Sequence, residues 1–302
     1  MRKIILLCAS LFTTVLFSAS AVKAQSLMWV SATGSGSSCT QTSPCATFQT
    51  AISGGATEVH CLTSGSYGPV IVTASIIIDC GTGNVGTVAA FGGAGITIGT
   101  FGAPETIILR HLNLSGLLGG TTGIDATGFS SGSLVIEDCT IQGFATGTDF
   151  RPAAGRGLLQ VSNSQVLNNA TGIWVQPGTG QIASVTLNRI EMVGNSNVGL
   201  TLTGSGVIAG TMRDSVIASS TDGVYADASQ VYFAIDGSNI AANLHFGVFT
   251  SSVGTVVGVG TSTFAGNGTG VQANLGSLVS FGNNQMIANG TDGNFTSTKA
   301  LK

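Results

Sequence analysis

Residues 169–175 read NATGIWV, a turn-forming Asn-Ala-Thr, a glycine, and then Ile173-Trp174-Val175 in apolar alternation. The same turn, glycine and aliphatic pattern recurs as GGTTGID (119–125), FATGTDF (144–150), SNVGLTL (196–202), STDGVYA (220–226), LHFGVFT (244–250), NGTGVQA (267–273) and GTDGNFT (290–296). The glycines are Gly123, Gly147, Gly172, Gly199, Gly223, Gly247, Gly270 and Gly293, spaced 24, 25, 27, 24, 24, 23 and 23 residues apart. Eight units of one period describe a repeat architecture.

Within a unit, apolar and polar residues alternate over three to five positions, as in Leu134 and Ile136 or Ile173 and Val175, which is the period of a strand. No unit carries an amphipathic helix pattern, so helical and leucine-rich solenoids are disfavoured. A coil of about 24 residues with two or three short strands, stacked at roughly 4.8 Å per coil, is a parallel β-helix. The expected fold is thus all-β, a right-handed parallel β-helix solenoid of about ten coils over residues 58–302. Polar columns support the register: Asn168, Asn195, Ser219, Asn243 and Asn289 lie four before their glycines, and Asp138, Asn163, Asn188 and Asp214 form a second set. Asn and Asp suit tight bends with positive φ, so both columns read as structural.

The opening, MRKIILLCASLFTTVLFSASAVKAQS, has Arg2 and Lys3, an apolar stretch and small residues around Ala24, the pattern of a secretory signal peptide over residues 1–24. That implies a secreted protein, periplasmic or extracellular, with no later run apolar for long enough to span a bilayer. Processing would remove Arg2, Lys3 and Lys23 and no acid, moving the net charge from −3 to −6. Nucleic acid is therefore not an expected partner. In an oxidising compartment Cys39 with Cys45, and Cys61 with Cys80, are plausible disulfides, each closing a short loop, which leaves Cys139 as a buried free thiol. Residues 25–57 form an expected N-terminal cap holding a short helix, with Ser43 as N-cap, Pro44 in its first turn, Phe48 and Ile52 on one face, and Gly54-Gly55 as the stop.

Together the repeat and the opening Trp29-Val30-Ser31, Cys39, Pro44-Cys45, Thr47-Phe48 and Ala51 resemble the pectate-lyase-like superfamily of right-handed parallel β-helices, and in particular exported bacterial β-helix proteins. The resemblance implies an architecture, because that superfold serves lyases, hydrolases, esterases, epimerases and non-catalytic surface proteins alike.

Side chains two positions after each glycine share an outer face: Asp125, Asp149, Trp174, Thr201, Tyr225, Phe249, Gln272 and Phe295. Two further on are Thr127, Arg151, Gln176, Thr203, Asp227, Ser251, Asn274 and Ser297. Sugar rings present apolar faces edged with hydroxyls, which flat aromatics beside carboxylates and amides complement. The expected partner is thus a polysaccharide or cell-surface glycan, bound by Trp174, Gln176, Tyr225, Asp227 and Phe249. A catalytic alternative, a lyase or hydrolase acting on an acidic glycan, would use Asp149, Arg151 and Asp125, with two neighbouring carboxylates for acid/base work. No cofactor is expected, calcium having a place only under the lyase form of that alternative, and the scattered His60, His111 and His245 make no zinc site. A third reading is a structural or adhesive rod.

Smaller motifs carry less. Gly81-Thr82-Gly83-Asn84-Val85-Gly86 matches GxGxxG without a following helix pattern, and Gly119-Gly120-Thr121-Thr122-Gly123-Ile124-Asp125 departs from the spacing of calcium-binding nonapeptides. Asn169-Ala170-Thr171 and Asn267-Gly268-Thr269 match the glycosylation sequon. Glu137-Asp138, Arg189 with Glu191, and Arg213-Asp214 read as surface ion pairs.

Overall fold

In the strand Thr171–Val175, Ile173 and Val175 are fully buried while Trp174 is half-buried on the outer side. This computed structural model describes residues 26–81, 83–100, 102, 104–116 and 119–300; the expected signal peptide lies outside them. Thr171–Val175 pairs in parallel with Thr146–Phe150 on one side and with Val198–Arg213 on the other, so that Ile173 stands between Thr148 and Leu200. Every coil repeats the arrangement, and the chain is an all-β parallel β-solenoid.

Each coil contributes to three ladders. One contains the glycine strands, such as Thr122–Ala126, Thr146–Phe150 and Thr171–Val175. A second contains longer strands, such as Gly132–Glu137, Arg156–Ser162 and Ile182–Asn188. The third stacks ten short strands, from Gly65–Ser66 to Gln285–Ile287, and so encloses about nine turns, one fewer than the period suggested. Inward aliphatic residues of all three meet in one continuous core. Val198–Arg213 and Asp222–Asp236 run through the first two ladders without a loop, whereas residues 151–155 and 176–181 bulge between strands in the preceding coils.

The recurring glycine is a steric requirement. A Cβ on Gly147 would lie 2.5 Å from the Gly172 carbonyl oxygen, and Gly123, Gly172, Gly223 and Gly247 face the next glycine's carbonyl in the same way. The series opens at Gly95, which the repeat reading missed, and closes at Gly270. Thr269 pairs with Thr291 and Val271 with Gly293, so Asp292 stands over Gly270 and Gly293 comes one residue too late. Phe295 accordingly leaves the outer column and packs toward Phe264.

Each polar column needs a partial correction. In the first, Asn195, Asn243 and Asn289 are stacked amides as expected, whereas Asn168 and Ser219 are left-handed bends one residue too early, and Asn169 and Asn267 complete the ladder. Asn243 Oδ1 accepts the Ser220 N–H at 3.1 Å, and Asn267 Oδ1 accepts the Asn243 N–H at 3.1 Å and its side-chain amide at 2.9 Å. Asn169 and Asn267, the sequon residues, are buried in this ladder and offer no accessible amide. In the second column the bend after Asn163 is Arg189 and not Asn188, which is paired in the strand with Arg213. Sequence reading also overlooked a buried serine ladder, in which Ser164, Ser215, Ser238 and Ser262 bond to the carbonyl two residues back. Cys139 occupies that position one coil earlier, its Sγ 3.2 Å from the Glu137 carbonyl, and burial pushes its thiol pKa up to about 12.

The expected disulfides Cys39–Cys45 and Cys61–Cys80 are both formed, and Cys139 is free and buried. A helix, α1 (Phe48–Ser53), begins later than the sequence pattern suggested, with Thr47 as N-cap accepting from the Thr50 N–H. Ser43 and Pro44 precede it in irregular backbone, because Cys45 is held by the disulfide and by backbone bonds to Trp29 and Ser31. Phe48 and Ala51 are the buried residues of α1, Ile52 is half-buried, and Gly54 ends the helix. The charged clusters pair between coils: Arg110 with Glu137 at 2.9 Å, and Arg189 with Asn163 in place of Glu191. Among the described residues no helix is long and apolar enough to cross a membrane.

Candidate functional site

Parallel register carries the outer column from coil to coil: Asp125 beside Asp149, then Trp174, Thr201, Tyr225, Phe249 and Gln272. All of the expected site residues therefore lie on one strip, with Arg151, Gln176 and Asp227 just beyond it in the chain. Their side chains form three unequal groups.

The first group is closed on itself. Arg151 holds the Asp149 carboxylate with two hydrogen bonds, Nε to Oδ1 and Nη2 to Oδ2, each 2.7 Å. Its guanidinium also lies over the Trp174 ring, with Cζ 4.7 Å from the centroid. Asp149 is only 7 % exposed; burial pushes its carboxyl above the ordinary range, Arg151 offsets part of that, and the neighbouring Asp125 charge adds to it. Asp125 accepts from its own neighbour Thr127, through both the backbone N–H and the hydroxyl. Calcium would need several convergent oxygen ligands. Both Asp149 oxygens are engaged by Arg151, and among the described residues no three His, Cys, Asp or Glu side chains come together, so this site does not fit the metal.

The second group is an open slot. Trp174 and Tyr225 stand two coils apart with the small Thr201 between them, and the gap is a cavity of about 330 Å3 also bordered by Asn197 and Asp222. The Trp174 ring is fixed by its N–H, which donates to Thr203 Oγ1 at 2.8 Å. Tyr225 donates its hydroxyl to Asp227 Oδ2 at 3.2 Å, and Asp227 also takes the Ser252 hydroxyl. Burial raises the Tyr225 phenol pKa, with the Asp227 charge and hydrogen bond adding to it. Phe249 does not border the slot; it stacks on Phe246 at 4.7 Å and backs Tyr225 at 5.6 Å, acting as a buttress.

The third group lies past the end of the strand Thr171–Val175. Loops 151–155 and 176–181 enclose a crevice of about 760 Å3 lined by Arg151, Gln176, Gln181, Pro152 and Pro177. Gln176 belongs to this crevice and not to the slot.

Asn197 and Asp222 were missed in the sequence. Strict alternation from Val224 and Tyr225 would point Asp222 inward, but Gly223 and Val224 are both buried, so the strand bends at the glycine and Asp222 is turned out. The repeat did contain the signal: the residue before the glycine is polar or aromatic in most units.

By sequence the chain matches no family profile and no curated protein. By structure it is similar to the solved pectate lyase Pel9A, with a TM-score of 0.61 and 14% identity over 91% of this chain and 78% of that one. The fold is a pectate-lyase-like β-helix. At that identity the likeness extends to the path of the coils, so the pectate-lyase-like scaffold accounts for how the strip is built. What the strip does depends on its own side chains.

Proposed function

We propose that this protein is an exported β-helix that binds glycan along the strip containing Trp174. The observation that carries the reading is the slot: two aromatic side chains fixed by hydrogen bonds to Thr203 and Asp227, separated by a threonine floor and edged by the polar side chains Asn197 and Asp222. Its volume falls in the ~300–1,000 Å3 range of small-molecule sites. Aligned, oriented aromatic faces beside hydroxyl-satisfying groups are what a sugar ring requires. Export is supported by the two disulfides, which persist in oxidising compartments, and by the leader-like opening.

A lyase or hydrolase acting through Asp149, Arg151 and Asp125 is supported by the fold of the neighbour and by the adjacency of the two carboxylates. Against it, Arg151 engages both Asp149 oxygens, and that carboxylate is buried. A purely structural rod accounts for the ladders but leaves the slot without a purpose.

Affinity electrophoresis through gels containing soluble polysaccharides tests the binding reading. At least one polymer should retard the wild-type chain, and Trp174→Ala should weaken that retention by about 2 kcal/mol, roughly 30-fold, as truncation of a central aromatic contact does. Equal mobility of variant and wild type in every gel would remove the support for the slot.

A further inference from the structure

The slot is electrostatically one-sided. Asp222 borders it between Trp174 and Tyr225, with its Oδ1 accepting the Phe246 N–H at 3.2 Å. The basic group beside it is His245, whose Nδ1 is 3.9 Å away on a side chain 59% exposed. Asp227 follows Tyr225, and Asp125 and Asp149 lie farther along the strip. Arg151 is the strip's one arginine, and it is out of reach. Asp149 and the Trp174 face engage it, and it lines the loop crevice and not the slot.

A uronate carboxylate in the slot would meet Asp222, whose basic neighbour His245 stands 3.9 Å away on a side chain 59% exposed and does not border the slot, so like charges face each other in a cleft where screening by water is reduced. An ammonium group would meet a carboxylate and two aromatic faces, whose negative quadrupoles attract cations. We propose that the slot recognises a protonated amine carried on a sugar ring, so that the preferred ligand is an amino-sugar glycan with free amines and polyuronates are rejected. This rests on the glycan-binding reading above and gives it a substrate class different from the one named for the pectate lyase neighbour.

Isothermal titration of the full chain with three hexasaccharides, of glucosamine, of N-acetylglucosamine and of galacturonate, separates the two claims. The glucosamine hexamer should bind at least tenfold more tightly than its acetylated counterpart, weaken as salt is raised, and outcompete the galacturonate hexamer. Asp222→Asn keeps an oxygen for the Phe246 N–H and should abolish the tenfold preference for the glucosamine hexamer over the acetylated one. Galacturonate binding that is tightest and is lost in Trp174→Ala would overturn the amine assignment and leave glycan binding standing. Equal affinity for the amine and acetylated hexamers, or a preference that survives Asp222→Asn, also overturns it. If none of the three hexamers binds, the amine assignment fails, and the gel retention of Trp174→Ala then decides the broader reading by itself.

Discussion

Two aspartates show how one residue type is placed to opposite ends by its surroundings. Burial raises Asp149 above the ordinary 3.8, with Asp125 adding to the rise and Arg151 limiting it. Burial would raise Asp79 as well, but the Gly81 N–H, the His111 ring 2.8 Å away and the charges of His111 and His60 together hold it below 3.8. The signs follow from proton counting. Just above pH 3.8 the unfolded chain has released a proton that folded Asp149 still holds, so this group's contribution falls as pH rises through that window. Below 3.8 folded Asp79 stays ionised while the unfolded chain takes up a proton, so its contribution falls as pH drops through the folded pKa. Urea midpoints measured from about pH 2 to 6 should lose the first slope in Asp149→Asn and the second in Asp79→Asn. Profiles that merely shift in parallel would contradict these assignments.

At the scale of the element, the asparagine ladder holds successive turns in register. Asn169 and Asn267 each accept from a backbone N–H one coil earlier and donate both to the next coil's amide and to a carbonyl of the preceding coil, Ile141 and Ile240 respectively. Asn243→Ala strands the buried Ser220 N–H and removes one of the two donors to Asn267 Oδ1, since the backbone N–H of residue 243 remains. The expected cost is about 2–3 kcal/mol, read as a lower urea midpoint with an unchanged slope. Cys139 shows the same economy, since its position is a serine in four later coils and its buried thiol is a structural group of that ladder. The repeat was legible down to this level but not its phase: insertions of one or two residues per coil shift which asparagine faces inward, and only the hydrogen bonds reveal the shift.

The whole molecule behaves as a one-dimensional stack in which each coil is stabilised by its neighbours. Its rungs are therefore unequal. Ile182–Asn188 and Asp222–Asp236 are paired on both sides, whereas Gln285–Ile287, Thr291–Gly293 and Ser297–Thr298 pair on one side and are mostly exposed. Amide exchange followed by mass spectrometry should find the residues 285–298 exchanging first and the central rungs last; uniform exchange along the chain would indicate a single cooperative unit instead.

Period and alternation alone determined that the chain coils, that Ile173 and Val175 face inward, and that Asp149, Trp174, Thr201 and Tyr225 share an outer face, because glycine stacking and strand pleating act locally and repeat in every turn. Tertiary structure alone decided which members of that face act together. The Arg151 guanidinium closes over Asp149 and one side of Trp174, Thr203 fixes the indole, and the bend at Gly223 turns Asp222 into the gap before Tyr225. Trp174 lies 23 positions from Arg151, 29 from Thr203 and 48 from Asp222, and the outcome depends on side-chain orientation across coils, which no single repeat unit encodes.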